Sequence, residues 1–159
     1  MFYGIFNSPL FPIIAVGDEK GLSCLHLQTK SGEELELSKE WIRNDDFFTD
    51  TFNQLDEYFS GKRKIFDMKL NPQGTQFQKK VWNALTKIPY GEVCSYKDIA
   101  IAVGNEKACR AVGMANSKNP IAIVVPCHRV IGSSGKLVGY AGGLDTKDEL
   151  LKLEKRYNG

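Results

Sequence analysis

The spacing of apolar residues changes part-way along the chain, and this change sets the strongest limit on its fold. Three short apolar runs, each bounded by turn residues, cover residues 3–7, 13–16 and 22–27. Such runs predict an antiparallel meander of short strands. Further on, the spacing becomes helical, first in the series Phe48, Phe52, Leu55 and Phe59. The two patterns together predict an α+β fold, with the first helix ending at Gly61.

A charged segment separates two parts of the chain. Residues 61–74, GKRKIFDMKLNPQG, mix charge with proline and glycine, as linkers do. We therefore predict an N-terminal α+β support domain over residues 1–70 and a C-terminal domain over residues 71–159.

Charge is divided in a similar way. Residues 1–60 carry 4 Lys and Arg against 11 Asp and Glu, a net charge of −7, whereas residues 61–159 carry 17 against 8, a net charge of +9. An anionic partner would therefore be steered toward the C-terminal part. A solvated basic surface without a partner explains the charge equally well.

Two capping-box patterns mark helix starts in the C-terminal part, one at Thr75 and Gln78 and one at Ser95 and Asp98. The second opens a short helix that Gly104 ends, and residues 106–117 predict another helix. Two short helices around a tight turn are typical of a helix-turn-helix, which docks on DNA through its second helix. Any other helical hairpin would show the same pattern.

The second helix of this pair carries mostly small residues and one long cation in the middle of the run, Arg110. Small side chains allow close approach to a nucleic acid but offer few hydrogen bonds to base edges, which favours sequence-tolerant contact. Tight packing of the helix in a core would also explain them.

The apolar run IAIVV, residues 121–125, stops at a proline that precedes a cysteine and a histidine. The run predicts a buried strand that the proline prevents from continuing. A neighbouring imidazole favours the nucleophilic thiolate of Cys127. Since adjacent side chains on an extended segment point apart, we expect a water between Cys127 and His128. The closing helix, residues 146–157, offers three carboxylates to orient the imidazole: Asp148, Glu149 and Glu154. A small buried cysteine beside a core histidine is the alternative interpretation.

The four cysteines contain no C-x-x-C pair, which argues against a zinc ribbon and a disulfide framework. Cys24 and His26 would supply half a metal site, but strand alternation explains them as well. We expect neither a metal nor a cofactor. No apolar run approaches the roughly 20 residues that span a bilayer, and the first residues lack a basic signal-peptide region. The expected location is the cytoplasm, or the nucleus in a eukaryote.

Several motifs, in this order, make the chain resemble the O6-alkylguanine-DNA alkyltransferases, also called methylated-DNA–protein-cysteine methyltransferases. They are SYKDIA at 95–100, RAVG at 110–113, NP at 119–120, PCHRV at 126–130, SSG at 133–135 and GYAGGL at 139–144. The likeness is dense from about residue 75 onward, whereas the first 60 residues match only in length and general pattern. It implies a ribonuclease-H-like N-terminal domain with a small antiparallel sheet and a winged helix-turn-helix-type C-terminal domain that carries the active site.

The resemblance further implies a single-turnover DNA repair reaction. The thiolate of Cys127 would take the alkyl group from O6-methylguanine, and from O4-methylthymine, after the base is flipped out of the duplex. His128 would act through a water as the base, and Glu154 would orient it. Tyr96 would donate a proton toward the departing guanine and crowd the rotating phosphate, and Asn119 would shape the active-site turn.

The remaining contacts are implied in the same way, with Arg110 filling the place that the flipped base leaves. DNA contacts are expected at Tyr96, Ala108, Arg110, Ala111, Gly113 and Ser133. Substrate contacts are expected at Val130, Tyr140 and Ala141. Because some relatives carry serine at the position of Ala141, an altered substrate range is expected. The partner would be double-stranded DNA containing O6-alkylguanine, bound by a monomer.

Two other functions fit part of the sequence. A non-enzymatic alkyltransferase-like protein would bind and flag damage, but such relatives lack the cysteine that Cys127 provides. A cysteine-histidine hydrolase with turnover would require an oxyanion hole, and the sequence does not identify one.

Overall fold

The computed structural model describes residues 1–30, 32–132 and 134–158. Its strands are β1 (Phe2–Asn7), β2 (Pro12–Asp18), β3 (Gly21–Leu27), β4 (Ile42–Arg43), β5 (Cys94–Ser95) and β6 (Val130–Ile131). Its α-helices are α1 (Thr49–Phe59), α2 (Gln76–Leu85), α3 (Tyr96–Ala102), α4 (Cys109–Ser117) and α5 (Leu144–Asn158). The predicted α+β fold is confirmed. Among these described helices, none is both long and apolar enough to cross a bilayer.

The N-terminal sheet has the strand order β3-β2-β1-β4. β1 pairs antiparallel with β2, and β2 pairs antiparallel with β3, which confirms the predicted meander. β4 adds to the other edge of β1 in parallel, so the sheet is mixed rather than purely antiparallel. The sequence did not predict β4 because two exposed residues carry no alternation of apolar and polar side chains.

Helix α1 packs its apolar face against this sheet. Leu55 and Tyr58 are fully buried, and Phe48 and Phe59 are nearly so. Gly61 follows with a positive φ of 79°, which a glycine adopts without strain. The helix therefore ends where the sequence predicts.

Both predicted capping boxes are present. In the second, the Ser95 hydroxyl accepts from the Asp98 backbone N–H at 3.1 Å and the Asp98 carboxylate accepts from the Ser95 N–H at 2.9 Å. Helices α3 and α4 follow, separated by a turn at Gly104 with φ of 88°. The Trp82 indole of α2 donates to the Ala115 carbonyl of α4 at 2.8 Å, which joins this helix pair to the core.

Residues 121–125 form a turn, so the predicted buried strand is wrong. The Val125 N–H donates to the Ile121 carbonyl at 3.1 Å, and Ile123 has a positive φ of 70°. The apolar composition correctly indicated burial, since Ile121, Ile123 and Val125 are buried, but it did not indicate extension. Cys127–Arg129 then form a 3₁₀ turn, so the thiol and the imidazole do not lie on an extended segment.

Strand β3 touches the segment that precedes this turn. The Leu25 N–H donates to the Pro120 carbonyl at 2.8 Å, and the Ala122 N–H donates to the Leu25 carbonyl at 3.1 Å. The N-terminal sheet is thus joined by hydrogen bonds to the backbone that leads to Cys127.

Because the apolar face of α1 is deeply buried, we expect truncation of a side chain on this face to lower the free energy of unfolding strongly. Leu55→Ala should lower the free energy of unfolding by about 2–5 kcal/mol, because it removes buried methyl groups and leaves a cavity. Ile65→Ala, at a side chain that is 81% exposed, should change it by less than about 0.5 kcal/mol. Urea unfolding followed by circular dichroism measures both, and equal losses in the two variants would contradict this packing.

Candidate active site

Cys127 lies in the wall of a cavity of about 300 Å³. Its side chain is nearly buried, with 6% of the residue exposed. From the C-terminal part of the chain the cavity is lined by Asn116–Pro120, Ala122 and Gly139–Gly142, and from the N-terminal part by Cys24–Leu27, Glu33 and Leu35. The N-terminal sheet therefore supplies part of the wall, whereas the sequence predicted only a supporting role for it.

Asn119 fixes the turn in front of Cys127. Its side-chain amide donates to the Val125 carbonyl at 2.8 Å and to the Ile121 carbonyl at 3.3 Å. Its carbonyl oxygen accepts from the Ile121 N–H at 3.1 Å. One side chain thereby closes both ends of the turn, as asparagine commonly does.

A second set of hydrogen bonds holds the segment that contains Gly139–Gly142. The Thr29 hydroxyl, which follows β3, donates to the Gly142 carbonyl at 2.7 Å. The Lys147 ammonium of α5 donates to the Val138 carbonyl at 2.7 Å from a fully buried position. The cavity is thus bordered by segments that side chains on other elements hold in place.

Burial raises the pKa of the Cys127 thiol, while a hydrogen bond from Asn119 and the positive charge of Lys147 act in the opposite direction. Burial likewise lowers the pKa of Lys147, to about 8, and Cys127 partly opposes that effect. Burial, and then the nearby Cys127, raise the pKa of Tyr140 well above its usual value. At neutral pH the resting thiol is therefore protonated, and a base must remove its proton.

His128 is fully buried, and its Nε2 lies 2.5 Å from Oε2 of Glu154. Because an ionised carboxylate only accepts hydrogen bonds, Nε2 carries the proton of a neutral imidazole and Nδ1 carries the lone pair. Nδ1 is buried and meets no hydrogen-bond partner in the described part of the chain. Burial, together with the charges of Arg129 and Lys147, lowers the pKa of His128 although Glu154 acts in the opposite direction, so the ring stays neutral.

Glu154 accepts hydrogen bonds from four residues. Besides His128, the donors are the Tyr58 hydroxyl at 2.6 Å, the Arg129 guanidinium at 2.8 and 3.1 Å, and the Gly91 N–H at 3.2 Å. Burial opposes ionisation, but the hydrogen bonds from His128 and Arg129 outweigh it and hold the pKa of Glu154 well below its usual range. Of the three carboxylates that the sequence offered, Glu154 is the one that meets His128, while Asp148 pairs with Lys152 at 2.8 Å.

The remaining predicted site residues fall into two groups. Tyr140 and Ala141 line the cavity with Cys127, whereas Tyr96 and Val130 are not among its lining residues. The Tyr96 hydroxyl donates to the Val138 carbonyl at 3.2 Å, and Val130 is fully buried in β6.

The predicted DNA contacts lie on or before α4. Arg110 and Ala111 are exposed, and Ala108 and Gly113 are half-buried. Ser133 lies outside the described residues. The roles of these residues, like those of the cavity residues, stay predictions.

Three residues of the site were not predicted from the sequence: Tyr58, Arg129 and Lys147. Tyr58 and Lys147 belong to helical faces whose spacing indicates only burial. Arg129 follows His128 directly, and its position in the PCHRV motif is the one signal that pointed to it. Among the described residues, no group of three His, Cys, Asp or Glu side chains that could hold a metal ion occurs, at Cys24 and His26 or elsewhere.

Comparison with known proteins gives the family. Residues 76–156 match the family model described as 6-O-methylguanine DNA methyltransferase, DNA binding domain, and residues 1–72 match its ribonuclease-like domain. The chain belongs to the 6-O-methylguanine DNA methyltransferase family. This match confirms the resemblance noted from the motifs and extends it over the N-terminal part, which is ribonuclease-like as predicted.

Several members of this family are similar over nearly the whole chain. A methylated-DNA–protein-cysteine methyltransferase of Methanosarcina acetivorans is 56% identical over 154 residues, covering 97% of this chain and 98% of that protein. One of Mycobacterium leprae is 48% identical over 94% of this chain and 89% of that protein. The crystal structure of Mycobacterium tuberculosis OGT in complex with DNA has a TM-score of 0.92 at 44% identity, covering 99% of this chain and 94% of that one.

Because Glu154 is ionised in the folded protein, we predict that the free energy of unfolding decreases in acid. An unfolded glutamate has a pKa of about 4.3, above that of the folded carboxyl, so below this pH the unfolded chain gains a proton that the folded chain does not. The free energy of unfolding therefore falls as pH falls. Glu154→Gln should lower this energy by about 3–5 kcal/mol at pH 7, because Arg129 loses its buried partner. It should also flatten the decline between about pH 4.5 and 3.

Urea unfolding across this pH range measures the slope. Asp148→Asn, at a partly exposed ion pair on the same helix, should follow the wild-type curve. An unchanged slope in Glu154→Gln would contradict an ionised Glu154 in the folded protein.

Proposed function

We propose that this chain repairs O6-methylguanine in double-stranded DNA by transferring the methyl group irreversibly to its own Cys127. The observation that carries this proposal is a thiol in the wall of a 300 Å³ cavity, followed directly by a neutral, buried imidazole whose Nδ1 is available as a base. Membership of a family of DNA repair methyltransferases agrees with it.

The proposed reaction begins with removal of the thiol proton. His128 accepts this proton at Nδ1 through a bridging water, and Glu154 stabilises the resulting imidazolium through Nε2. The positive charge of Lys147 and the hydrogen bond from Asn119 favour the thiolate that remains. The buried network thus supplies a base at the moment of reaction while the resting thiol stays protonated.

Methyl transfer is a single displacement. The thiolate electron pair forms the new S–C bond, the C–O6 bond breaks, and its electron pair passes to the guanine, which takes up a proton and leaves in its normal keto form. Tyr96 is proposed as the donor of this proton. Burial, and then the nearby Cys127, raise the pKa of Tyr96, which keeps its hydroxyl protonated. O4-methylthymine, with a methyl group on an oxygen of an aromatic ring, is proposed as a second substrate.

The product on the protein is a neutral thioether. Its sulfur is a poor leaving group on an unactivated carbon, so the methyl group stays and each molecule reacts once. All the residues proposed to act belong to one chain, and we propose that a monomer completes the reaction. A reducing intracellular compartment, cytoplasmic in a prokaryote, would keep the thiol free.

The helix pair α3–α4 is the proposed DNA-docking unit, within a C-terminal domain over residues 71–159. The net charge of +9 over residues 61–159 steers DNA toward this part of the chain. The exposed Arg110 is proposed to fill the stack once the base has rotated out. Flipping costs a few kcal/mol and is easier at a weakened base pair, which favours damaged sites.

Mass spectrometry tests the reaction. With excess duplex DNA carrying O6-methylguanine, the Cys127 peptide should gain one methyl group per protein molecule. Cys127→Ser should gain none, whereas Cys94→Ser, at a half-buried thiol in β5, should react as the wild type does. Binding without modification would instead indicate a damage-flagging protein, and repeated turnover would indicate a hydrolase.

A second prediction separates base flipping from chemistry. Arg110→Ala should slow methyl transfer from duplex DNA by about 10-fold or more, since the flipped state loses the side chain that fills the stack. Transfer from the free base O6-methylguanine, which requires no flipping, should change by less than about 2-fold. Lys20→Ala, in the acidic N-terminal part, is the charge-matched control for both substrates. Equal slowing of the two reactions in Arg110→Ala would contradict the assigned role.

A further inference from the structure

Tyr58 joins the N-terminal part of the chain to the proposed reaction centre. It lies on α1, and its hydroxyl donates to Oε2 of Glu154, which lies on α5, at 2.6 Å. Both residues are fully buried. The contact spans 96 positions of the sequence, and neither the family motifs nor the helical spacing points to it.

The oxygen that Tyr58 contacts is the one that holds His128. Oε2 of Glu154 accepts from the Tyr58 hydroxyl at 2.6 Å, from Nε2 of His128 at 2.5 Å and from a guanidinium nitrogen of Arg129 at 3.1 Å. The other oxygen serves Arg129 and Gly91. Donors that share one carboxylate oxygen divide its negative charge, so each weakens the attraction felt by the others.

The combined electrostatic effect of the groups around His128 decides whether its imidazole accepts a proton. The charged or titratable groups that act on the ring are Glu154, which favours the imidazolium, and Arg129 and Lys147, which oppose it. Tyr58 carries no charge, and burial followed by the nearby Glu154 raises its pKa far above the usual value, so it acts as a fixed donor.

We propose that Tyr58 is a positioning residue of the N-terminal part that sets the proton affinity of His128 through Glu154. The Tyr58 hydroxyl withdraws part of the carboxylate charge and orients Oε2 toward Nε2. The imidazole therefore stays neutral in the resting protein, ready to take the proton of Cys127. The role of Tyr58 in catalysis rests on the proposed function, but its effect on the proton affinity of His128 can be measured without DNA.

Tyr58 also has a packing role, which the test must separate from the hydrogen bond. Its ring packs near Phe59, Phe66 and Tyr90, with centroid distances of 5.3, 5.5 and 6.1 Å. Tyr58→Phe keeps the ring and removes only the donor. Tyr90→Phe is the matched control, because the Tyr90 hydroxyl is buried nearby and has no hydrogen-bond partner among the residues that the structure describes.

The chain contains only two histidines, His26 and His128, so each imidazole can be followed by NMR as pH is varied. In Tyr58→Phe the titration midpoint of His128 should rise by about half to one pH unit, the expected effect of losing one hydrogen bond on this oxygen. In Tyr90→Phe it should match the wild type. His26, on β3, serves as the internal reference and should not move in either variant.

A second variant, which should shift the His128 titration midpoint in the opposite direction, keeps the test valid if Tyr58→Phe folds poorly. Incorporating 3-fluorotyrosine at position 58 strengthens the donor, and the His128 midpoint should then fall. A midpoint that is unchanged in both position-58 variants, or that moves equally in Tyr90→Phe, would overturn the proposal.

The rate of methyl transfer to Cys127 gives a second readout. If neutral His128 is the base, the acid limb of the pH–rate profile should shift together with the NMR midpoint. On that limb, methyl transfer should be about 3- to 10-fold slower in Tyr58→Phe than in the wild type, which is the rate change that corresponds to a shift of half to one pH unit. A uniform slowing at every pH would indicate a structural effect alone and would overturn the proposal. Absence of transfer in the wild type, with the NMR shift present, would refute the proposed function and leave the Tyr58 effect established.

Discussion

A single buried carboxylate organises the reactive half of this molecule. Burying an ionised glutamate in a protein interior is unfavourable in free energy unless hydrogen-bond donors surround it. Removing one of these partners destabilises the protein strongly, because a buried charge is then left unpaired. Glu154 meets this requirement with donors from α1, from Gly91 between α2 and β5, and from the 3₁₀ turn that carries His128 and Arg129. The position of the imidazole is therefore fixed by the same bonds that hold these elements together.

In the proposed reaction the Cys127 thiol and the His128 imidazole act once rather than repeatedly. Burial keeps the Cys127 thiol protonated and the His128 ring neutral, so neither group is reactive alone. A permanently ionised thiolate would be exposed to oxidation and to stray electrophiles. Under the proposed single-turnover reaction, it is an advantage that the sulfur becomes nucleophilic only when His128 can accept its proton.

The sequence predicted what depends on local spacing. The meander, the helix that ends at Gly61 and the two capping boxes each rest on residues within a few positions of one another, and all are present. The turn at residues 121–125 was missed because β-branched residues suit a strand, whereas the bonds from Asn119 that bend the chain come from outside the run. Tyr58 was missed because its partner lies 96 residues away, and no periodicity records such a contact. The choice of Glu154 over Asp148 and Glu149 came from the family motifs and not from spacing.

The walls of the cavity at Cys127 are held by residues outside the helix pair that is proposed to dock on DNA. β3 binds the backbone of the segment before Cys127 through Leu25, and Thr29, which follows β3, binds the Gly139–Gly142 segment at Gly142. β3 and Thr29 lie in the N-terminal part of the chain, outside α3 and α4. If the proposed function holds, substitutions in β3 or at Thr29 are expected to change which damaged bases the cavity admits while the contacts of α3 and α4 with DNA stay the same.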